Sequence, residues 1–287
     1  MYIIDLHCDS IGVAPPLVKN YNFSQNHPQL QVVALYDTTG ENTLSYINTF
    51  KECAKNENLC IVKEYGDIKL NRHCAILSIE GGTVLETHSL KSLYDEGVRI
   101  LGLAWLSNAL AKSNRLSDGE IDTGISDFGK KIINEGNDLG VIFDVSHLSD
   151  NSFWDMAELS KKPIIATHSN FRAVCPHSRN LTDDMAREII RQGGVIGLNL
   201  YPVFVGENAT ADTLFEHIDH CMSLGGKDCL GFGFDIDGTD GMYISPVCEK
   251  ESIHDKVIDL MLRHGYSDEL VKKIACKNLL EYLKKYL

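Results

Sequence analysis

The chain has 287 residues, 44% hydrophobic and 23% charged, which is ordinary for a globular protein long enough to bury a large core. Its 40 acidic and 27 basic residues leave a net charge of −13, which argues against non-specific binding to nucleic acid or an anionic membrane, since both need positive charge. No apolar run is long enough for a membrane span, and MYIIDLHCDS lacks the basic and long apolar regions of a secretion signal; nine cysteines without a CxxC pair suit free thiols, so a cytoplasmic location is expected.

Short runs rich in Val, Ile and Leu alternate with longer stretches of helical period. The first strand, residues 2–6, passes directly into His7-Cys8-Asp9. A second, 31–36, ends at Asp37, and a helix over 43–56 opens with a threonine cap. Strand 74–79 ends at Glu80-Gly81-Gly82, and strand 98–104 runs into Trp105. Helix 126–138 opens at Ser126 and stops near Gly140. Strand 140–145 leads to His147, helix 149–160 follows, and strand 163–167 ends at His168. Arg179 precedes helix 182–192; strand 195–200 and helix 211–224 come next, both helices stopping at a Gly-Gly pair. Strand 230–234 ends at Asp235 and Asp237, and helices over 253–264 and 268–286 finish the chain.

Eight such strands, apolar on both faces, predict a parallel sheet closed as a (β/α)₈ TIM barrel, one domain over residues 1–287. An open doubly wound sheet is the competing fold. It usually shows a glycine-rich turn after its first strand, where this chain has His-Cys-Asp-Ser.

Six of the eight strands end in a potential metal ligand or acid, where barrel enzymes gather their catalytic groups. His7 and Asp9, two apart on a strand, share one face and can bind one cation; alone, His7 equally fits a satisfied core histidine. His147 and His168 lie 21 residues apart, one strand-to-strand repeat, and suit a second cation, or a helix entry and a turn. The Glu80 carboxylate can bridge two metals, or serve as the N-terminal acid of a following helix. Asp235 can exchange a proton with a metal-activated water, whereas Asp237, beside Gly238, fits a turn better. Arg179 offers a fork for a substrate carboxylate, or an ordinary salt bridge.

These motifs, in their order from DLHCDS through SIEGG, GVRILGLAW, DVSHLSD and PIIATHSNFRAVCPHSRNLTDDM to GFGFDIDG, resemble the membrane (renal) dipeptidase family of amidohydrolase-like metal-dependent hydrolases. The resemblance implies two zinc ions, other divalent transition metals being alternatives. His7 and Asp9 would bind one, His147 and His168 the other, with Glu80 and a hydroxide between them. It further implies Asp235 as general acid/base, Arg179 as receptor of the substrate's terminal carboxylate, and hydrolysis of dipeptides, often with a C-terminal D-residue. A homodimer is also implied, with a small dipeptide-like substrate as partner. One position departs: Trp105 stands in the substrate-binding region where the family carries a histidine. Indole offers one N–H and no titratable group. His88 and His177 are possible substitutes for it, although both also fit ordinary surface histidines. The departure keeps open a related hydrolase of another amide, an N-acyl amino acid or a lactone; a non-catalytic metal-binding protein ranks lower.

Overall fold

A computed structural model of the chain describes residues 1–11, 27–236 and 253–287. Asp237 lies outside the described residues. The apolar runs form parallel strands β1 (Ile3–Ile11), β2 (Gln29–Tyr36), β3 (Cys60–Ile61), β4 (Cys74–Glu80), β5 (Val98–Gly102), β6 (Ile142–Asp144), β7 (Ile196–Leu198) and β8 (Leu230–Phe232). The two-residue β3 is an unforeseen addition beside β4. The other strands neighbour one another in the order β6-β5-β4-β2-β1-β8-β7.

Residues 163–167 fill the gap between β6 and β7. They do so through two parallel bridges, Asp144 to Ile165 and Ala166 to Ile196, rather than as the regular strand expected from their composition. The segment starts at Pro163, which has no N–H to give, and divides its few backbone bonds between two neighbours. These bridges close eight parallel staves into a barrel.

Two apolar clusters follow from the closure. The inner one draws Ile4, Leu6, Val32, Ile76, Ile100, Ile142 and Ile165 from successive staves and is plugged by Leu279, Tyr282 and Leu283 near the C-terminus. The larger cluster packs the outer faces of the staves against the helices. Those helices are α1 (Thr43–Asn56), α2 (Leu90–Glu96), α3 (Asp127–Leu139), α4 (Asp150–Leu159), α5 (Asp183–Gln192), α6 (Pro202–Val205), α7 (Ala211–Ser223), α8 (Ile253–Arg263), α9 (Asp268–Lys272) and α10 (Asn278–Tyr286).

Side-chain oxygens of Ser126, Ser149 and Thr182 accept backbone N–H groups three residues on, as their positions predict. Helix α1 differs. Thr43 is its first residue rather than its cap, and the Asp37 carboxylate binds the N–H of Asn42 and the Thr43 hydroxyl from outside. The short α2 was not anticipated; Ser89 caps it and Gly97, at φ 119°, ends it. The predicted helix 268–286 is interrupted by a π-turn, Lys273–Lys277, between α9 and α10. No helix among the described residues is long and apolar enough to cross a membrane.

Gly197 and Gly233 explain how the stave at 163–167 can approach so closely. A Cβ on Gly197 would lie 2.0 Å from the Thr167 carbonyl oxygen, and one on Gly233 would lie 1.8 Å from the same atom. That packing sets the height of the next residue, His168.

Candidate metal centre

The strand ends converge. Register irregularities between Asp5 and Cys8 and between Cys8 and Ile11 break the regular pairing of β1 with β2 at the stretch that holds His7 and Asp9. His7 Nε2 lies 3.3 Å from Asp9 Oδ1, 3.6 Å from Glu80 Oε1 and 3.8 Å from Asp235 Oδ1. Glu80 Oε1 also faces His147 Nε2 at 2.8 Å and His168 Nε2 at 3.3 Å. The two last nitrogens are 2.9 Å apart. Three histidines and three carboxylates, all buried, therefore meet above the apolar interior.

Neighbouring groups hold these side chains. Thr167 donates its hydroxyl to Asp144 Oδ2 at 2.5 Å and lies 2.8 Å from His168 Nδ1. With that hydroxyl proton committed to Asp144, His168 Nδ1–H is the donor to Thr167, and the Nε2 lone pair faces the centre. Asp5 Oδ1 accepts the N–H of His7 at 3.2 Å and that of Phe234 at 3.1 Å, while Oδ2 meets His254 Nε2 at 2.9 Å. One buried carboxylate thus ties β1 to the segment that carries Asp235. Asn199 donates to Asp235 Oδ2 at 3.0 Å. Arg179, itself buried, donates to Ser169 Oγ at 2.8 Å and to the His168 carbonyl at 2.9 Å, with Nη2 3.2 Å from His147 Nε2.

The charge balance points to a cation. Burial first, then the Asp9 carboxylate, push Glu80 well above the usual carboxylate range, and burial is the main cause of a rise to about 7 at Asp235. Burial opposes charge on His7, but Glu80, Asp9 and Asp235 outweigh it and raise its pKa to about 10. Burial drives His147 and His168 the other way, well below the ordinary histidine value. Buried His7 Nε2, Asp9 Oδ1 and Glu80 Oε2 have no hydrogen-bond partner among the described residues. Two sets of donor atoms, from His7, Glu80 and His168 and from His7, Asp9 and Asp235, each lie within 4.8 Å of one another. Unpartnered nitrogen and carboxylate donors around one buried spot fit divalent metal.

Trp105 flanks this cluster, its ring 5.8 Å from the His147 ring and edge-on to Tyr36 at 4.9 Å. It also lines a cavity of about 280 Å³ together with Thr38, Gly81 and Glu86. Asp37, at the end of β2, is elsewhere: its carboxylate is spent on Thr39, Asn42 and Thr43. His88 binds its neighbour Thr87, and His177 accepts the N–H of Arg179 at 3.1 Å; neither joins the cluster. Sequence reasoning passed over Asp5, Asp144, Thr167 and Asn199. Each is a polar residue set within an apolar stave or beside a candidate ligand, which is the signal that could have found them.

A parallel barrel with histidines and carboxylates gathered at its strand ends is the scaffold of a metal-dependent hydrolase. The model of the membrane dipeptidase family (peptidase family M19) matches residues 20–286, and the chain belongs to that family. His7 and Asp9 precede the matched stretch and are brought to it by β1. A Klebsiella pneumoniae protein described as uncharacterized, in the pqqA 5′ region, is 32% identical over 219 residues, 71% of this chain and 78% of its own length. Two solved structures share the fold. A Rhodobacter sphaeroides metallopeptidase liganded with a phosphinate mimic of the dipeptide L-Ala-D-Ala superposes with a TM-score of 0.85 at 20% identity, covering 100% of this chain and 99% of that one. An amidohydrolase from Pseudomonas aeruginosa gives 0.83 at 19% identity, covering 99% and 95%.

Proposed function

We propose that the protein is a binuclear zinc dipeptidase. The observation that carries this reading is Glu80: one carboxylate oxygen faces three histidine nitrogens and the other is buried without a partner among the described residues. In this reading His7 and Asp9 would hold one ion and His147 and His168 the other, with the Glu80 carboxylate available to both sets. Metals held there would supply Lewis acidity for the scissile carbonyl and lower the pKa of a bound water.

The chain's own groups do the rest. Asp235, fixed through Oδ2 by Asn199, keeps Oδ1 toward the cluster, where it accepts the proton of the water and returns it to the leaving amine. Arg179 receives the terminal carboxylate of the dipeptide; its Nε is buried and unpartnered among the described residues. The dipeptide mimic held by the Rhodobacter sphaeroides metallopeptidase supports a dipeptide as substrate. A panel of L,L- and L,D-dipeptides, assayed on metal-replete enzyme, tests the reading. Turnover of dipeptides that chelation abolishes is expected, and silence on the whole panel would refute it.

One observation favours a second reading. Trp105 presents an aromatic wall beside His147. Turnover of N-acyl amino acids or lactones, with none of dipeptides, would establish a related hydrolase on the same centre.

A further inference from the structure

The loop between β5 and α3 carries a cation that the proposed mechanism leaves unused. Arg115 places its guanidinium carbon 4.1 Å from the centroid of the Trp105 ring. The residue is exposed and makes no ion pair among the described residues. Its backbone is nonetheless anchored to the centre. The adjacent Asn114 N–H donates to the His147 carbonyl at 2.8 Å, Ser113 bridges Leu148, and the Ser113 hydroxyl donates to the Trp105 carbonyl at 2.7 Å.

The segment that carries Arg115 is therefore tied both to Trp105 and to the His147–Leu148 backbone. A guanidinium over an aromatic face keeps its N–H donors free at its edge, where they match a carboxylate. Arg179 is buried and bonded to Ser169 and His168, so the two cations present different surfaces to a ligand.

We propose that Arg115 and Trp105 form a subsite for an anionic side chain of the substrate, so that the enzyme selects peptides containing glutamate or aspartate. This rests on the dipeptidase reading. Arg179 takes the terminal carboxylate, and Arg115 takes the second, side-chain carboxylate. A neutral amide of the same shape keeps the contact with the ring and loses the charge-assisted hydrogen bonds.

The test is a binding measurement on the metal-loaded protein. Trp105 and Trp154 are the two tryptophans of the chain, so Trp154→Phe leaves Trp105 as the reporter. The probes are reduced-bond (CH₂–NH) isosteres of Glu-Ala and Ala-Glu, each paired with its glutamine counterpart. At least one glutamate isostere should perturb Trp105 emission and bind about tenfold or more tightly than its amide, the ratio expected of one charged hydrogen-bonding pair. Arg115→Gln should bring that ratio close to one, and Arg115→Lys, which keeps the charge, should retain part of it. Equal affinity for glutamate and glutamine isosteres, or a ratio that survives Arg115→Gln, would overturn the proposal. Discrimination without cleavage of any dipeptide would count against the dipeptidase reading alone; cleavage without discrimination would count against the subsite alone.

Discussion

His147 and Asp235 adopt φ values of 71° and 54°, a left-handed backbone uncommon for residues other than glycine, although Asn, Asp and His tolerate it best. Such conformations persist where surrounding contacts hold them, and both residues belong to the proposed centre. For Asp235 the holding contact is Asn199 at Oδ2. Asp235→Asn preserves the shape and removes the proton acceptor. Its kcat should fall by about 10²- to 10⁴-fold, the usual worth of a general acid/base, while metal content by elemental analysis stays the same. Trp105 gives the converse prediction. Trp105→His restores a nitrogen that can donate a hydrogen bond and carry charge, and dipeptide kcat should rise. Unchanged kcat would show that the indole does not limit turnover.

At this scale the sequence was informative wherever a ligand type ended an apolar run. His7, Glu80, His168 and Asp235 were visible for that reason. Asp37 ended a run too, yet its carboxylate is spent on the turn that leads into α1, where it accepts the Asn42 N–H and the Thr43 hydroxyl. Contacts between distant residues, such as Asp5 with Phe234 or Asn199 with Asp235, have no local signature.

Between elements, the positions of the proposed ligands depend on close stave packing and on the polar side chains behind them. Thr167→Val keeps the size of the side chain and breaks the chain from Asp144 to His168. Metal affinity should fall about 10- to 100-fold, measured by competition with a chelating dye. Gly233→Ala forces a methyl group to 1.8 Å from the Thr167 carbonyl unless the staves separate. It should lower unfolding free energy by about 3 kcal/mol or more in urea titration, at the upper end of overpacking costs.

Helix α7 adds a pH-dependent tie to the same region. His217 accepts the Phe171 N–H at Nδ1 and lies 3.0 Å from the Val205 carbonyl at Nε2, so it is held neutral. Burial is the main cause of its pKa falling to about 4. A folded value below the unfolded one, near 6.5, means that His217 contributes full stability above about pH 6.5 and loses it as pH falls toward 4. The loss should be about 3 kcal/mol, and denaturation curves of His217→Gln should show a correspondingly weaker dependence between those pH values.

The whole barrel was legible from the alternation of apolar runs and helical stretches, because buried parallel strands are apolar on both faces. Closure was less so. The stave at 163–167 makes only bridges, and its fit depends on Gly197 and Gly233, which are distant in the chain. The insertion of α2 and the π-turn before α10 were also hidden, since a seven-residue helix and a single widened turn barely change hydrophobic period.

The barrel brings His7 from its first stave beside Asp235 from its last, at the ends proposed to hold two metals. Elemental analysis of protein expressed in metal-replete medium and purified without chelators tests that most directly. Close to two transition-metal ions per chain, mainly zinc, are predicted, with the count reduced in Glu80→Gln. Protein that carries none, or a count indifferent to Glu80, would contradict the account.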